Sequence, residues 1–568
     1  MTNFIKTQSS FANGEVAPEF YAKDNVNGLA KLENMDVISG GGLIRRPGLM
    51  RIATLPENAR LIPFSVSEDE NYVLVFMDNV LRIFLNDEFV QDINVPWTYS
   101  DAINIQYAQH QGTIIFVHPD FCPKKLFKDN GVFKIRDFVF FSSDGENNID
   151  IPFMRFDDSK NINITVTYEQ NAIVFTTNED FWTQDNVNGY LSLLGKTWLI
   201  TSYVDSKSVT AMCNGQYTLP QAPVSDWKEA AFSKRRGWPR SVTFHQDRLV
   251  FGGTSSCPGG VWLSRVGQYA NFNLGTGLDD EAIYFSLLSG HRQHICTMVS
   301  SNNLQILTSQ GEWAVSNAPL TPMSVDIKMH TNIGCVSDRS LPPQEIEGTT
   351  VFVSNDKHQI RELVLDQVDE NYKANNLCPM SNHLIDNPTD ISYNKKTKKL
   401  FVVLENGDMA VMNIDTALEI FAWGRYTTNG KFMSVMSIGG DTFVIVQREE
   451  NIYMEKFSES VFNDSGDYSY SVYASGLPLR SAGHNTKLAR IRKITTRVID
   501  TKTLQINNEP VVFPNEIYDE HHQGFTGDVS KTFLGTTRNF TDFPWSISSS
   551  DSLPLKILSV TIYGQYQI

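Results

Sequence analysis

Apolar positions along this chain recur as short paired runs separated by turn residues. The stretch Lys398 to Asp415 shows the unit plainly. Leu400 to Leu404 is a continuous apolar run, Asn406-Gly407 supplies the positive φ values of a tight hairpin turn, and Met409 to Ile414 forms the return strand. The first of these strands is apolar on both faces, so it needs cover on both sides, which stacked copies of the unit provide and a lone hairpin does not. Similar hairpins are read at Tyr72 to Phe84 with a turn at Asp78-Asn79, at Thr113 to Phe127 near Pro119-Asp120, and at Arg248 to Leu263 through Pro258-Gly259-Gly260. Three more follow: Leu304 to Val315 with Gln310-Gly311, Val351 to Leu365 with Asn355 to His358, and Phe443 to Phe457 with Glu449 to Asn451. Neighbouring copies begin about 41 to 56 residues apart, close to the length of a four-stranded blade, except for one gap of about 135. The expected fold is all-β, a β-propeller of about seven blades. Sequential β-sandwiches are the alternative that also spaces hairpins.

The long gap, about Asp129 to Arg236, holds its own alternating runs at Ile162 to Tyr168, Ala172 to Thr177, Thr197 to Val204 and Ser208 to Cys213. They predict a small β domain inserted into the propeller. Beyond Gly466 the chain stays β-like but off-period, and its strand-like end, Lys556 to Tyr566, is expected to be tied into the fold. The division is therefore residues 1–60 as an N-terminal arm and part of a platform, 61–128 as the first part of the propeller, and 129–236 as the insert. Residues 237–465 are the second part of the propeller and 466–568 a C-terminal β platform.

Composition narrows the function. The 568 residues carry a net charge of −16, which argues against a surface that grips DNA nonspecifically but is compatible with DNA passing an acidic, repelling wall. Six cysteines without Cys-x-x-Cys spacing read as reduced core residues of a protein made in a cytoplasm. The N-terminus has no charged-then-apolar signal pattern, and no apolar run approaches the roughly 18 to 20 residues of a membrane helix.

Candidate chemistry is sparse. Asp279-Asp280-Glu281 lacks the alternate spacing of a calcium loop and an identifiable catalytic partner, so a surface or interface turn is expected. His291-Arg-Gln-His294 and His521-His522 lack the Glu and the spaced third ligand of a zinc site. A nucleophile elbow and a Walker A loop are absent, and the Gly-rich run at 253 to 260 reads as a hairpin turn. Lys234-Arg235-Arg236 and Lys395-Lys396-Thr-Lys398-Lys399 read as solvated loops, with contact to DNA as the other possibility. No constellation points to an enzyme, a cofactor or a metal. One motif stands out as a docking element: the charged, proline-stiffened turn Arg45-Arg46-Pro47-Gly48, which follows the flexible Gly40-Gly41-Gly42.

The segment Phe11-Ala-Asn-Gly-Glu15-Val-Ala-Pro18, then Tyr21, Gly28-Leu29, Leu32, Asn34 and Arg45-Arg46-Pro47-Gly48, resembles the opening of short-tailed phage (podovirus) tail nozzle proteins. That family is also called tail tubular protein B, and includes DNA-stabilisation tail-hub proteins. Gly14-Glu15-Val16-Ala17-Pro18 stands for the family's Gly-Glu-Leu-Ser-Pro. The likeness becomes dense from Trp238-Pro239 through Val242-Thr-Phe244-His-Gln246-Asp-Arg248-Leu249-Val250-Phe251-Gly252-Gly253 and Leu307-Thr308-Ser-Gln-Gly311-Glu312-Trp313, and runs on through Arg361-Glu362-Leu363, Asp369-Glu370-Asn371-Tyr372 and Tyr453-Met454-Glu455 to Gly524-Phe525-Thr526-Gly527-Asp528. The individual motifs are short, and their order over most of the chain is what makes the resemblance specific.

The resemblance implies a structural virion protein of the viral tail, made in the host bacterial cytoplasm. It would be a homo-hexamer forming a tube below the tail adaptor protein that retains genomic DNA and conducts it during ejection. It also implies a fin-like role for the insert, a platform that meets the adaptor through residues such as Arg45, Arg46, Pro47 and Gly48, and tail fibres or spikes as further partners. The alternatives are a tail-associated polysaccharide-degrading hydrolase, which needs converging carboxylates in a cleft, and a carbohydrate-binding propeller module, which needs aromatic-lined pockets on single subunits.

Overall fold

The computed structural model describes all residues except 1, 22–26, 143–148, 170–171, 214–217, 219, 291, 317–318, 367, 369–370, 479–487, 514–523, 535–536, 540–542 and 568. His291, Asp369-Glu370 and the pair His521-His522 lie outside the described residues.

Each of the seven predicted hairpins is the middle pair of four adjacent antiparallel strands, which form a separate sheet in six cases and one end of a ten-stranded sheet in the seventh. In the hairpin around Asn406-Gly407, strands Lys399–Leu404 and Met409–Asp415 pair from Lys399 with Asn413 to Val403 with Met409. Gly407 has φ +94, a conformation that a side chain would strain. Outer strands Pro388–Asn394 and Ile420–Tyr426 complete that blade. The other six middle pairs are Asn71–Met77 with Val80–Leu85, Thr113–His118 with Phe121–Asp129, Arg248–Gly252 with Gly260–Leu263, Leu304–Thr308 with Glu312–Ser316, Thr349–Val353 with Ile360–Asp366, and Asp441–Arg448 with Asn451–Ser458. The first strand of every pair is almost wholly buried because it is covered on both faces, as the doubly apolar runs require. The fold is therefore all-β, a β-propeller with an inserted β domain and a terminal β platform.

The chain divides into two compact units. The first holds residues 1–99, 341–364 and 374–568. Within it, the first strands of successive blades pack on one another: Pro388–Asn394 lies against Lys431–Ile438, and that strand lies against Arg60–Ser65. The buried carboxylate of Asp390 ties these three strands together. It accepts from Ser434 Oγ at 2.6 Å and from the Val435 amide at 3.0 Å, while the Leu61 amide donates to Ser434 Oγ at 3.1 Å. Burial pushes the Asp390 carboxyl above its ordinary range.

The last blade is completed from the other end of the chain. Gly48–Leu55 pairs antiparallel with Asn451–Ser458, from Ser458 with Gly48 to Ile452 with Leu55. Part of the segment read as an N-terminal arm is thus a blade strand.

The second unit holds residues 100–340 and 365–373. Its three blades start at Gln106–His110, Ser241–His245 and Ile295–Ser300, whose first strands pack in that order. The insert is a seven-stranded sheet running from Phe153–Met154 to Trp227–Ala230, with a core of its own around Phe175, Trp182, Trp198 and Trp227. Val132–Asp137, inside the range assigned to the insert, is the fourth strand of the blade before it.

Candidate functional site: the platform built from both chain ends

The two chain ends meet in one sheet of the first unit. The terminal strand Lys556–Gln567 pairs with Thr2–Gln8 on one side and with Leu488–Thr501 on the other, and Leu488–Thr501 pairs with Phe525–Thr532. Period-2 alternation sends Ile491, Ile494, Val498, Val529, Ile557, Val560 and Ile562 to a buried face. Opposite them, in a second layer, lie Phe11, Leu29, Leu32, Trp545 and Ile547. That second layer is a continuation of the Pro388–Tyr426 blade sheet, extended through Gly14–Glu15, Gly28–Glu33, Val472–Gly476 and Ser546–Ser549. The platform is a β-sandwich that shares a sheet with a propeller blade.

The other face of the terminal sheet is largely polar and, among the described residues, exposed or half-exposed. Its rows follow from register: Ile5, Tyr563, Lys493 and Thr532; then Thr7, Thr561, Thr495 and Ser530; then Ser559, Arg497 and Asp528. Hydroxyl pairs stitch the second row, with Thr7 to Thr561 at 3.0 Å and Thr495 to Ser530 at 2.9 Å. Arg497 pairs with Asp528 at 3.1 Å, and Lys493 lies 5.5 Å from the Tyr563 ring. Cross-strand bonds of this kind stabilise the sheet locally.

Below this face the sandwich is anchored by buried charge. The predicted turn Arg45-Arg46-Pro47-Gly48 is turned inward: Arg45 is 3% and Arg46 0% exposed. All five N–H groups of Arg46 are satisfied. Nε donates to Asn34 Oδ1 at 2.9 Å, Nη1 to the Pro47 carbonyl and Asp464 Oδ1 at 2.9 and 3.0 Å, and Nη2 to the Thr427 carbonyl and Asp464 Oδ2 at 3.0 and 2.8 Å. The guanidinium also lies 3.6 Å from the Tyr470 ring centroid, a close cation–π contact. Burial works against its charge, but Asp464 outweighs it and holds Arg46 above its ordinary value. Arg45 donates to the carbonyls of Tyr470 and Asp551. Gly48 is required by space, since a Cβ there would come within 2.4 Å of the Asn463 carbonyl. These residues tie the platform to the last blade, and both guanidinium groups are buried within the chain.

Two more buried carboxylates repeat the device. Glu15, 2% exposed, accepts from the Leu32 amide at 2.8 Å, from His383 Nε2 at 3.1 Å and from Arg425. Burial raises its carboxyl, yet His383 and Arg425 together hold it below the usual range. Asp36 accepts from Lys399 Nζ at 2.6 Å and Tyr426 Oη at 2.5 Å. Thr428 Oγ1 donates to Asp464 at 2.7 Å and accepts from Arg448, whose Nη2 lies 2.8 Å from Glu455. Arg448 and Glu455 are 1% and 0% exposed at the side chain, so this ion pair is as buried as Arg46–Asp464.

Elsewhere the sequence candidates are consumed by structure. The Glu281 carboxylate accepts three successive amides, from Thr276, Gly277 and Leu278, at 2.7, 2.6 and 2.8 Å, and Asp280 pairs with Arg265. Arg248 caps the carbonyls of Ser264, Asp279 and Glu281. The acidic triplet is a loop brace. Lys234-Arg235-Arg236 is not a free basic patch: Arg236 clamps Glu229 and Asp158, Arg235 donates to the Phe181 carbonyl at 2.7 Å, and Lys234 pairs with Asp185 at 2.8 Å. Of the second basic run, Lys399 holds Asp36 and Lys398 lies 3.7 Å from Asp415, while Lys395 and Lys396 are exposed. All six cysteines are free thiols, and burial pushes Cys122 and Cys296 up to about 12, which keeps them unreactive. Among the described residues no group of three His, Cys, Asp or Glu side chains is placed to hold a metal. The residues that sequence reasoning missed are Asp464 and Tyr470, whose shared partner Arg46 lies more than 400 positions away in the chain.

No family model matches the chain, and no curated protein matches it. Among solved structures, the Cps50 (Swd1) β-propeller domain of Myceliophteria thermophila aligns at 7% identity with a TM-score of 0.36, over 72% of this chain and 100% of that one. BamB from Moraxella catarrhalis aligns at 10% identity and TM-score 0.33, over 72% and 100%. The RRP9 WD40 repeats align at 7% identity and TM-score 0.33, over 73% and 100%. The propeller assignment rests on the seven blade sheets themselves.

Proposed function

We propose that this protein is a structural component of a short-tailed phage tail, a nozzle assembled as a hexameric tube below the adaptor that retains and then conducts genomic DNA. The observation that supports this reading is the platform. Both chain ends are spent on one sheet whose outer face is largely polar and exposed among the described residues, and the buried ion pairs beneath it tie that sheet to a blade. A docking face on a propeller suits an assembly role, in which the tail adaptor sits on the platform and further tail parts attach elsewhere. The motifs that carry the family resemblance, Gly14-Glu15, Asn34 and Arg46-Pro47-Gly48, are the residues that build this anchor. Catalysis is not part of the reading, because Asp280 and Glu281 are engaged by Arg265 and by backbone amides. Six copies would carry about −96 (six times −16), so DNA would pass a repelling wall with little adhesion.

Negative-stain imaging of the purified protein and of tails carrying it tests the proposal, with a six-fold tube expected. A monomer that depolymerises a surface polysaccharide would overturn it. Duplex DNA should bind weakly at physiological salt and more weakly as salt rises; tight, salt-resistant binding would contradict the low-adhesion wall.

A further inference from the structure

The blade Gln106–Asp137 carries a charged feature that its own packing does not explain. Its inner strands cover the next blade with Ile115 and Val117, as a propeller blade should. Farther out on the same sheet, Lys125 stands directly opposite Arg136 across the strand pair. Like charges in that position repel, and neither residue makes an ion pair among the described residues. The nearby carboxylates are already engaged: Asp137 pairs with Lys124, and Asp129 pairs with Lys134 at 2.7 Å, feeling Arg136 only through space. Phe127 lies beneath both cations, 5.8 Å from Lys125 Nζ and 5.6 Å from the Arg136 guanidinium carbon.

These residues form one wall of a cleft of about 420 Å³. The lining continues onto aromatic residues of the same sheet and of the adjoining blade. His110, Phe244 and Tyr269 pack with ring centroids 4.9 to 5.2 Å apart, and Val139, 78% exposed, stands at the rim. Tyr269 Oη donates to Asp247 at 2.5 Å and lies 3.2 Å from His110 Nε2, so the phenol is fixed in place.

We propose that this cleft binds a carboxylated sugar, a uronic-acid unit, with the carboxylate between Lys125 and Arg136 and the sugar ring against the aromatic residues. Two adjacent cations, one of them a guanidinium fork, match a single carboxylate. The aromatic rings meet at 71° and 84° for His110–Tyr269 and Phe244–Tyr269, and the more nearly parallel His110–Phe244 pair, at 32°, has its centroids 5.0 Å apart, too close for a flat base to enter between them. A puckered ring presenting C–H edges to single aromatic faces suits that geometry better than a nucleotide does. The cleft volume accommodates one or two sugar units. This site stands independently of the tail reading, since it lies within the second unit and uses none of the platform residues.

Calorimetric titration of the full chain with trigalacturonate, galacturonate, methyl glucoside and inorganic phosphate tests the proposal. Trigalacturonate and galacturonate should bind, the neutral sugar and phosphate at least about tenfold more weakly, and Lys125→Ala or Arg136→Ala should each weaken uronate binding about tenfold or more. Both variants should melt no lower than the parent, because each relieves a like-charge contact, so lost binding is separable from unfolding. The site is refuted by absent uronate binding in the folded parent, by binding that survives both substitutions, or by phosphate binding as tightly as the sugar.

Discussion

Replacing Arg46 by Met removes five hydrogen bonds at once and leaves the Asp464 carboxylate buried, with Thr428 Oγ1 as its remaining side-chain donor. Breaking a buried ion pair from one side costs about 3–5 kcal/mol, because the abandoned charge keeps its desolvation penalty. The carbonyls of Pro47 and Thr427 and the Asn34 side chain also lose donors, which keeps the cost at the upper part of that range. The chain has two compact units, so a single global unfolding energy is the wrong measure. Amide hydrogen exchange reads the effect locally. In Arg46→Met, protection over residues 43–51 and 464–471 should fall by roughly two to three and a half orders of magnitude, with residues 100–340 unchanged. The double variant Arg46→Met/Asp464→Leu should recover at least about 2 kcal/mol of the summed single losses, since an apolar pair leaves no stranded charge. Strict additivity of the two substitutions, or a loss of protection below tenfold in Arg46→Met, would refute the anchor as argued.

Other outcomes follow from the same geometry. Glu15 has a carboxyl held below its ordinary value of 4.5, so its stabilising contribution is present above that pH and is lost as pH falls through the folded-state value. The acid limb of platform stability should therefore be flatter in Glu15→Gln than in the parent when both are followed by hydrogen exchange against pH. Gly14 has φ +61 and a Cβ there would lie 2.3 Å from the Trp423 carbonyl, so Gly14→Ala should cost more than about 1 kcal/mol and lower the first melting transition. Deleting residues 1–55 should not leave an intact propeller: it strips Gly48–Leu55 from the last blade and exposes the edge Asn451–Ser458, with aggregation expected on size-exclusion chromatography. A soluble, monodisperse truncation would contradict that assignment.

The hairpins were legible because their signals are local. A doubly apolar strand, a turn with Asn or Gly at positive φ and a return strand lie within about twenty residues, and the blade-length spacing followed from seven such signals. The outer blade strands were less legible, since half-exposed runs such as Glu88–Asn94 and Val132–Asp137 carry weak alternation. The candidate site shows the same division more sharply. Arg45-Arg46-Pro47-Gly48 was recognisable as a special turn, but whether its cations faced solvent or the interior depended on Asp464 and Tyr470, over 400 positions away, and on Gly48 fitting beneath the Asn463 carbonyl. Lys234-Arg235-Arg236 likewise reads as a basic patch until Asp158 and Glu229 are brought against it. Sequence by itself determined the repeating unit, because backbone conformation and strand amphipathicity are set by neighbours along the chain. Tertiary structure alone decided which charges were buried and paired, which strand completed the last blade, and which face of the terminal sheet stayed open. Those outcomes depend on long-range register, and the desolvation that gives a charge its role exists only once the distant partner has closed over it.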